Sequence, residues 1–227
     1  SKMFFTPLAS LLLMIILIFI ANGFIFPVLL DIQPLNKLPN STYNLYVFCH
    51  FIGNNILAII ILIIITSMVI IYSLPNLTGR LRSILDRIIP FNIYKQVVAT
   101  SFLISLSLLL QAGDDFYTAV KKIKINTSKY LSYFLEQIST RISLGDSSGQ
   151  ALSAINLFNK NTQIYIEILD SSQALSKGIA NLTDRSVDLQ IRYIKRLLSG
   201  LSTILIFSVI GFGLWFYVAL GNMGLSI

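Results

Sequence analysis

Residues 51–72 read FIGNNILAIIILIIITSMVIIY and carry no charge, which makes this stretch a helix that crosses a bilayer. A span needs about 20 predominantly apolar residues. In lipid the backbone polar groups have only one another as partners, and a helix satisfies them all. The charge-free stretch extends outward from 38 to 79, and residues 3–30 and 197–227 likewise lack Asp, Glu, Lys and Arg. The first of these holds a span at 8–30, LASLLLMIILIFIANGFIFPVLL. Its Asn22 and Pro27 lie in the outer half, where a helix can end or kink without stranding many donors. The second holds a span at 198–220 with the only Trp, Trp215, beside Phe216 and Tyr217. These aromatics read either as an interfacial anchor or as plain lipid-facing rings.

The expected fold class is therefore all-α: an integral membrane protein with three transmembrane helices and a cytoplasmic helical bundle between the second and third. The divisions are an N-terminal segment and first span at 1–30, a short periplasmic loop at 31–50, a second span at 51–74, a bundle domain of about six helices at 75–197, a third span at 198–220, and a periplasmic tail at 221–227. Orientation follows from the basic residues, which mark the cytoplasmic side. Of the 17 Lys and Arg, 15 lie between spans two and three, Lys2 precedes span one, and Lys37 alone occupies the first loop. Three spans thus place 16 on one face and one on the other. Arg80 and Arg82, and Arg192, Lys195 and Arg196, flank the spans, where attraction to lipid headgroups and partner binding both explain such clusters.

Within the polar domain, 97–110 is apolar but short and interrupted by Thr100, Ser101, Ser105 and Ser107, which suits a buried bundle helix better than a fourth span. Gln111-Ala112-Gly113-Asp114-Asp115 ends that helix and caps the next. A short helix to about Lys124, a longer one over 127–143, a turn at 144–149, a short amphipathic helix at 150–158, and helices at 161–176 and 180–198 follow from helical spacing, the last running into span three. No alternation bounded by hairpin turns marks a strand.

Several functions are excluded by what is missing. The sequence has no phosphate-binding GxxxxGK[ST], no GxSxG and no HExxH, so no enzymatic activity and no cofactor is expected. Cys49 and His50 are the only Cys and His, too few for a metal site of ordinary ligand count. The net charge of +7 brings no nucleic-acid signature with it. The first apolar run is too long for a removable signal peptide and lacks its small-residue cleavage site.

Three stretches carry a resemblance: RLRSILDRIIPFNIYKQ at 80–96, FLISLSLLLQAGDDFYTAVKKI at 102–123 and ISLGDSSGQALSAINLF at 142–158. In this order between these spans, they resemble the second half of the GspF/PilC family, the platform proteins of type II secretion and type IV pilus systems. Asp86, Ile89-Pro90, Ala112-Gly113, Ala119-Val120, Gly145 and Ala151-Leu152 occupy the family's motif positions. The resemblance covers about 75–220, and the first two spans by topology only. It implies a multi-pass protein of the bacterial inner membrane that forms homo-oligomers. The implied partners are a hexameric cytoplasmic assembly ATPase, pilin or pseudopilin subunits, and other inner-membrane assembly proteins in the lipid bilayer, with no nucleic acid.

Three departures accompany it, one being that residues around Ser199-Gly200 stand in place of the family's Glu-Pro near the start of the last span. The family carries a further cytoplasmic domain before its first span, so either a piece of a longer protein or a shortened member is expected. Its Gly-Glu…Gly-x-Leu signature keeps only one carboxylate here, Asp170, which reads as a partner or cation contact or as a solvated helix acid. A divergent pilus-type member is the resulting expectation. Lys121, Lys122, Lys124, Lys129, Arg185 and Arg192 are the candidate partner-facing residues, since basic side chains steer acidic partners, although a solvated face explains them too. A permease subunit of an ATP-driven transporter and a membrane-tethered scaffold are the competing readings. Three spans with no ionisable residue at mid-span count against the former.

Overall fold

The computed structural model describes residues 2–172 and 175–224, without the side chains of 2–4, 175–176, 184–185 and 223–224. Every regular element among them is helical. In chain order these are α1 (Lys2–Ile20), a π-helical turn (Ala21–Ile25), α2 (Phe26–Ile32), a 3-10 turn (Leu35–Lys37), α3 (Asn40–Asn76), α4 (Arg80–Leu85), α5 (Phe91–Gln111), α6 (Phe116–Ile125), α7 (Lys129–Ser143), α8 (Ser148–Ser153), α9 (Lys160–Ser171) and α10 (Leu175–Gly224). The chain divides into two compact units, Ser1–Thr66 with Lys195–Ile227, and Ser67–Ile194.

The first unit is built from the long apolar helices. Leu57, Leu62 and Ile65 on α3 and Ile204, Phe207 and Leu214 on α10 are exposed, a surface that only lipid or another protein would cover. Its interior is a small cluster of Ile18, Ala21, Phe26, Leu45, Cys49, Phe212 and Ala219. The Thr42 hydroxyl donates to the Ala219 carbonyl at 2.7 Å, and Asn222 Nδ2 donates to Ser41 Oγ at 3.0 Å. Trp215 is partly buried, with its ring 5.8 Å from that of Phe48. Asn22 lies in the π-helical turn against Gly53, where a Cβ would come within 2.3 Å of its amide nitrogen. Small residues let helices approach in this way within a bilayer.

Four helical stretches are long and apolar enough to cross a membrane: Phe5–Ile32, α3, α5 and Lys177–Asn222. That is one more than the three expected. The difference arises at the start of α5, which begins at Phe91 directly after Pro90 and so runs for 21 residues, where the apolar pattern alone marked only 97–110. Over a third of the most apolar window of α5 is buried within the protein, 39%, against none for α3. Its Phe102, Leu103 and Leu106 are among the most buried side chains of the second unit.

That second unit has a single core, in which α5 packs with Val120 of α6, Leu135 and Ile138 of α7, Leu152 of α8, and Ile166 of α9. Its turns are written in the sequence. After α5, the Gly113 N–H bonds to the Leu110 carbonyl and the Asp114 N–H to that of Leu109, with Gly113 at φ 94°. After α7 the same pairing joins Gly145 to Ile142 and Asp146 to Arg141, with Gly145 at φ 100°. Only glycine enters this left-handed region without steric cost. Asp115 then opens α6 by accepting from the Thr118 N–H at 3.0 Å. Hydrogen bonding to the Thr118 side chain, and next to its N–H, holds the Asp115 carboxyl below the usual range.

Candidate functional site

A buried charge cluster lies where α4, α5 and α7 meet. Arg82 is 2% exposed. Its guanidinium carbon stands 4.2 Å from the ring centre of Tyr130, 4.7 Å from that of Phe91 and 5.4 Å from that of Tyr94. Nε approaches Asp86 Oδ1 to 2.9 Å, but away from the N–H direction, so the two are paired by charge without a hydrogen bond. Neither terminal guanidinium nitrogen has an oxygen acceptor, and the aromatic faces take that place. Asp86 Oδ2 accepts from the Tyr130 hydroxyl at 2.8 Å. Burial, and next the neighbouring Asp86, push the Tyr130 phenol well above its usual range. Arg82 is thus not a headgroup-facing residue, as its position beside a span led us to expect, because its cation is enclosed by rings.

A second polar feature is a cleft of about 270 Å³ that reaches from the first turns of α5 to the N-terminus of α9 and to Ser186–Gln190 of α10. Lys95 stands in its wall, half-buried. Burial lowers the Lys95 ammonium from its ordinary value, against a smaller raising effect of Asp86. Among the described residues no group of three or more His, Cys, Asp or Glu is placed to hold a metal ion.

The family described as type II secretion system protein F matches residues 102–221, just over half of the chain and from the middle of α5 to the last turn of α10. The chain belongs to this family. The toxin coregulated pilus biosynthesis protein E of Vibrio cholerae serotype O1 is 26% identical over 178 residues, covering 76% of this chain and 52% of that protein. The chain thus spans about half the length of that curated relative. No solved structure matches.

The residues that carried the family resemblance fall at structural positions. Pro90, joined to Ile89 by a cis bond, stands at the N-cap of α5. Ala112 is that helix's C-cap, and Gly113 and Gly145 are the turn glycines described above. Ala151 and Leu152 are fully buried in the core. Asp170 is occupied inside this family member. Its Oδ2 accepts a short hydrogen bond from the Ser147 hydroxyl, and its Oδ1 accepts from the Gly149 N–H at 3.1 Å. The carboxylate therefore closes the start of α8, where Ser147 and Gln150 also cap each other.

The basic residues separate by what they touch. Lys122 donates to both oxygens of Asp114 at 2.7 and 2.8 Å, and Lys124 lies 3.7 Å from Glu136. Lys121, Lys129 and Arg192 are exposed and form no ion pair among the described residues. The side chain of Arg185 lies outside the described residues. Sequence reasoning missed both the aromatic enclosure of Arg82 and the Lys95 cleft. The signal available was the (i, i+4) spacing of Arg82 and Asp86, while the enclosing tyrosine comes from 44 positions along the chain.

Proposed function

We propose that this chain is a non-enzymatic inner-membrane platform of a pilus-assembling machine, coupling a hexameric cytoplasmic ATPase to the addition of pilin subunits. The observation that carries the reading is the family match over 102–221, since it takes in the helical bundle and the final apolar helix together. The name of the Vibrio cholerae relative supports a pilus over a secretion filament. In this reading three helices span the bilayer and α5 belongs to the bundle, with residues 75–197 cytoplasmic. The burial of α5 and the concentration of basic residues between spans two and three favour that placement.

Lys121 and Lys129 are the residues with which the bundle meets an acidic partner, because their ammonium groups are exposed and unspent. The test is co-purification of the full chain in mild detergent with a candidate assembly ATPase from the same organism. Wild-type protein captures the ATPase, and K121E/K129E does so at least about tenfold less well, given the weight of charge complementarity in such contacts. Undiminished capture by the double variant removes the basic face from the interface. Failure of the wild type to capture the ATPase overturns the platform reading itself.

A further inference from the structure

The cleft at Lys95 has the composition of a ligand site that the chain itself leaves unused. Its apolar lining is the buried Leu103, Leu157 and Phe158, with the exposed Leu189 at its edge. Its rim carries the side-chain amides of Asn92, Gln96, Asn159 and Gln190 and the hydroxyls of Thr100 and Thr162. A concave site with an apolar floor and a few convergent polar groups is the usual build of a small-molecule pocket. Lys95 makes no hydrogen bond or ion pair among the described residues, although it is half-buried. Half-burial of an ammonium is unfavourable without a direct partner, and the attraction of Asp86 offsets it only in part, so the wall holds a cation with no direct counter-ion.

The neighbouring groups supply a counter-charge only in part. Asp86 is the single carboxylate lining the cleft. Its two oxygens are engaged by Arg82 and by the Tyr130 hydroxyl. Arg82, Asp86 and Lys95 together therefore hold one excess positive charge. The rim amides are partly spent on each other, with Gln96 Nε2 donating to Asn92 Oδ1 at 3.0 Å. That bond leaves the Asn92 amide hydrogens free to donate. Two helices, α5 and α9, also begin at this cleft, and the positive ends of their dipoles add to the potential.

We propose that this cleft binds a small oxyanion, a carboxylate or a phosphate carried on a short apolar stem. Lys95 is its counter-charge, and Leu103, Leu157 and Phe158 receive the stem. The amides of Asn92 and Asn159 and the Thr162 hydroxyl hold the remaining oxygens. A soluble metabolite and a lipid headgroup present the same chemistry, and the experiment separates them. The reading is independent of the platform proposal.

The full chain is reconstituted in phosphatidylcholine nanodiscs and its thermal unfolding is followed against rising hexanoate, hexyl phosphate and, as a neutral control, hexanol. The expected result is a saturable rise in midpoint with at least one of the two anions and none with hexanol. K95M weakens the response about tenfold or more, the scale of a charge-assisted hydrogen bond; K95R keeps it, and K122M leaves it unchanged. The same Lys95-dependent rise on exchanging the lipid for phosphatidylglycerol, with no further effect of hexyl phosphate, assigns the site to a lipid headgroup. An equal response to hexanol, or anion responses that survive K95M, would overturn the proposal.

Discussion

Arg82 shows how the bundle tolerates a charge in its interior. Desolvating a guanidinium costs several kcal/mol, and here the cost is offset by Asp86 at 2.9 Å and by three aromatic faces, each worth about 0.5–2 kcal/mol. The arrangement predicts a sharp asymmetry between single and joint substitution. R82M strands a buried carboxylate and lowers unfolding stability by about 3–5 kcal/mol. The triple variant R82M/D86L/Y130F, which removes all the polar partners together, recovers most of that loss. Chemical unfolding of the three proteins in one detergent checks it; a triple variant no more stable than R82M would show that Asp86 is not the source of the cost. The pairing of Arg82 with Asp86 was legible from their spacing. Burial was not, because Arg82 lies three residues beyond a charge-free run, and headgroup attraction explains an arginine there equally well until Tyr130 is brought in from α7.

Among the elements, α8 has only six residues, as does α4, and isolated helices of that length are unstable. It persists because Ser147 and Gln150 cap each other and because Asp170 reaches across from α9 to the Ser147 hydroxyl and Gly149 N–H. Gly149 is required for that reach. An added Cβ would lie 2.2 Å from the Cβ of Asp170 and 2.4 Å from its carboxyl carbon, atoms held by the α9 backbone rather than at a movable tip. G149A is therefore expected to destabilise the protein by about 1–3 kcal/mol, the range of overpacked cores, measured by thermal unfolding. A variant as stable as wild type would mean that α8 and α9 separate at no cost. The turns after α5 and α7 were readable from the sequence, since Gly113, Asp115 and Gly145 each do what their residue type does best. The capping of α8 by Asp170 was not, because 23 positions separate Asp170 from Ser147 and helical spacing says nothing about which distant carboxylate meets which turn.

Across the whole molecule, α10 is a helix of 50 residues, about 75 Å at the usual rise. It was legible as two joined pieces, a polar helix at 180–198 and an apolar span, because no Pro interrupts the sequence between them. In the platform proposal this helix carries displacement from bundle to bilayer, since a continuous hydrogen-bonded ladder transmits rotation and tilt without slack. Insertion of Gly-Gly after Leu198 breaks that ladder while leaving both ends intact. Filament assembly should be lost while membrane insertion and ATPase capture persist, scored by pilus yield, fractionation and co-purification. Assembly that survives the insertion would exclude α10 as the transmitting element.

The 21-residue α5, apolar enough over its length to cross a membrane, also bears on biosynthesis. The chain emerges from the ribosome N-terminus first, so α5 is complete while Val120, Leu135, Leu152 and Ile166, which will enclose it, are still untranslated. At that moment an insertion machinery that reads hydropathy meets a segment fit to enter the bilayer, and in the three-span proposal its exclusion from the bilayer is what keeps Lys121 on the side of the bundle. The topology of this protein is then a race: α6 and α7 have to arrive and cover α5 before lipid does. Slowing translation just after Gln111 is the way to make it lose.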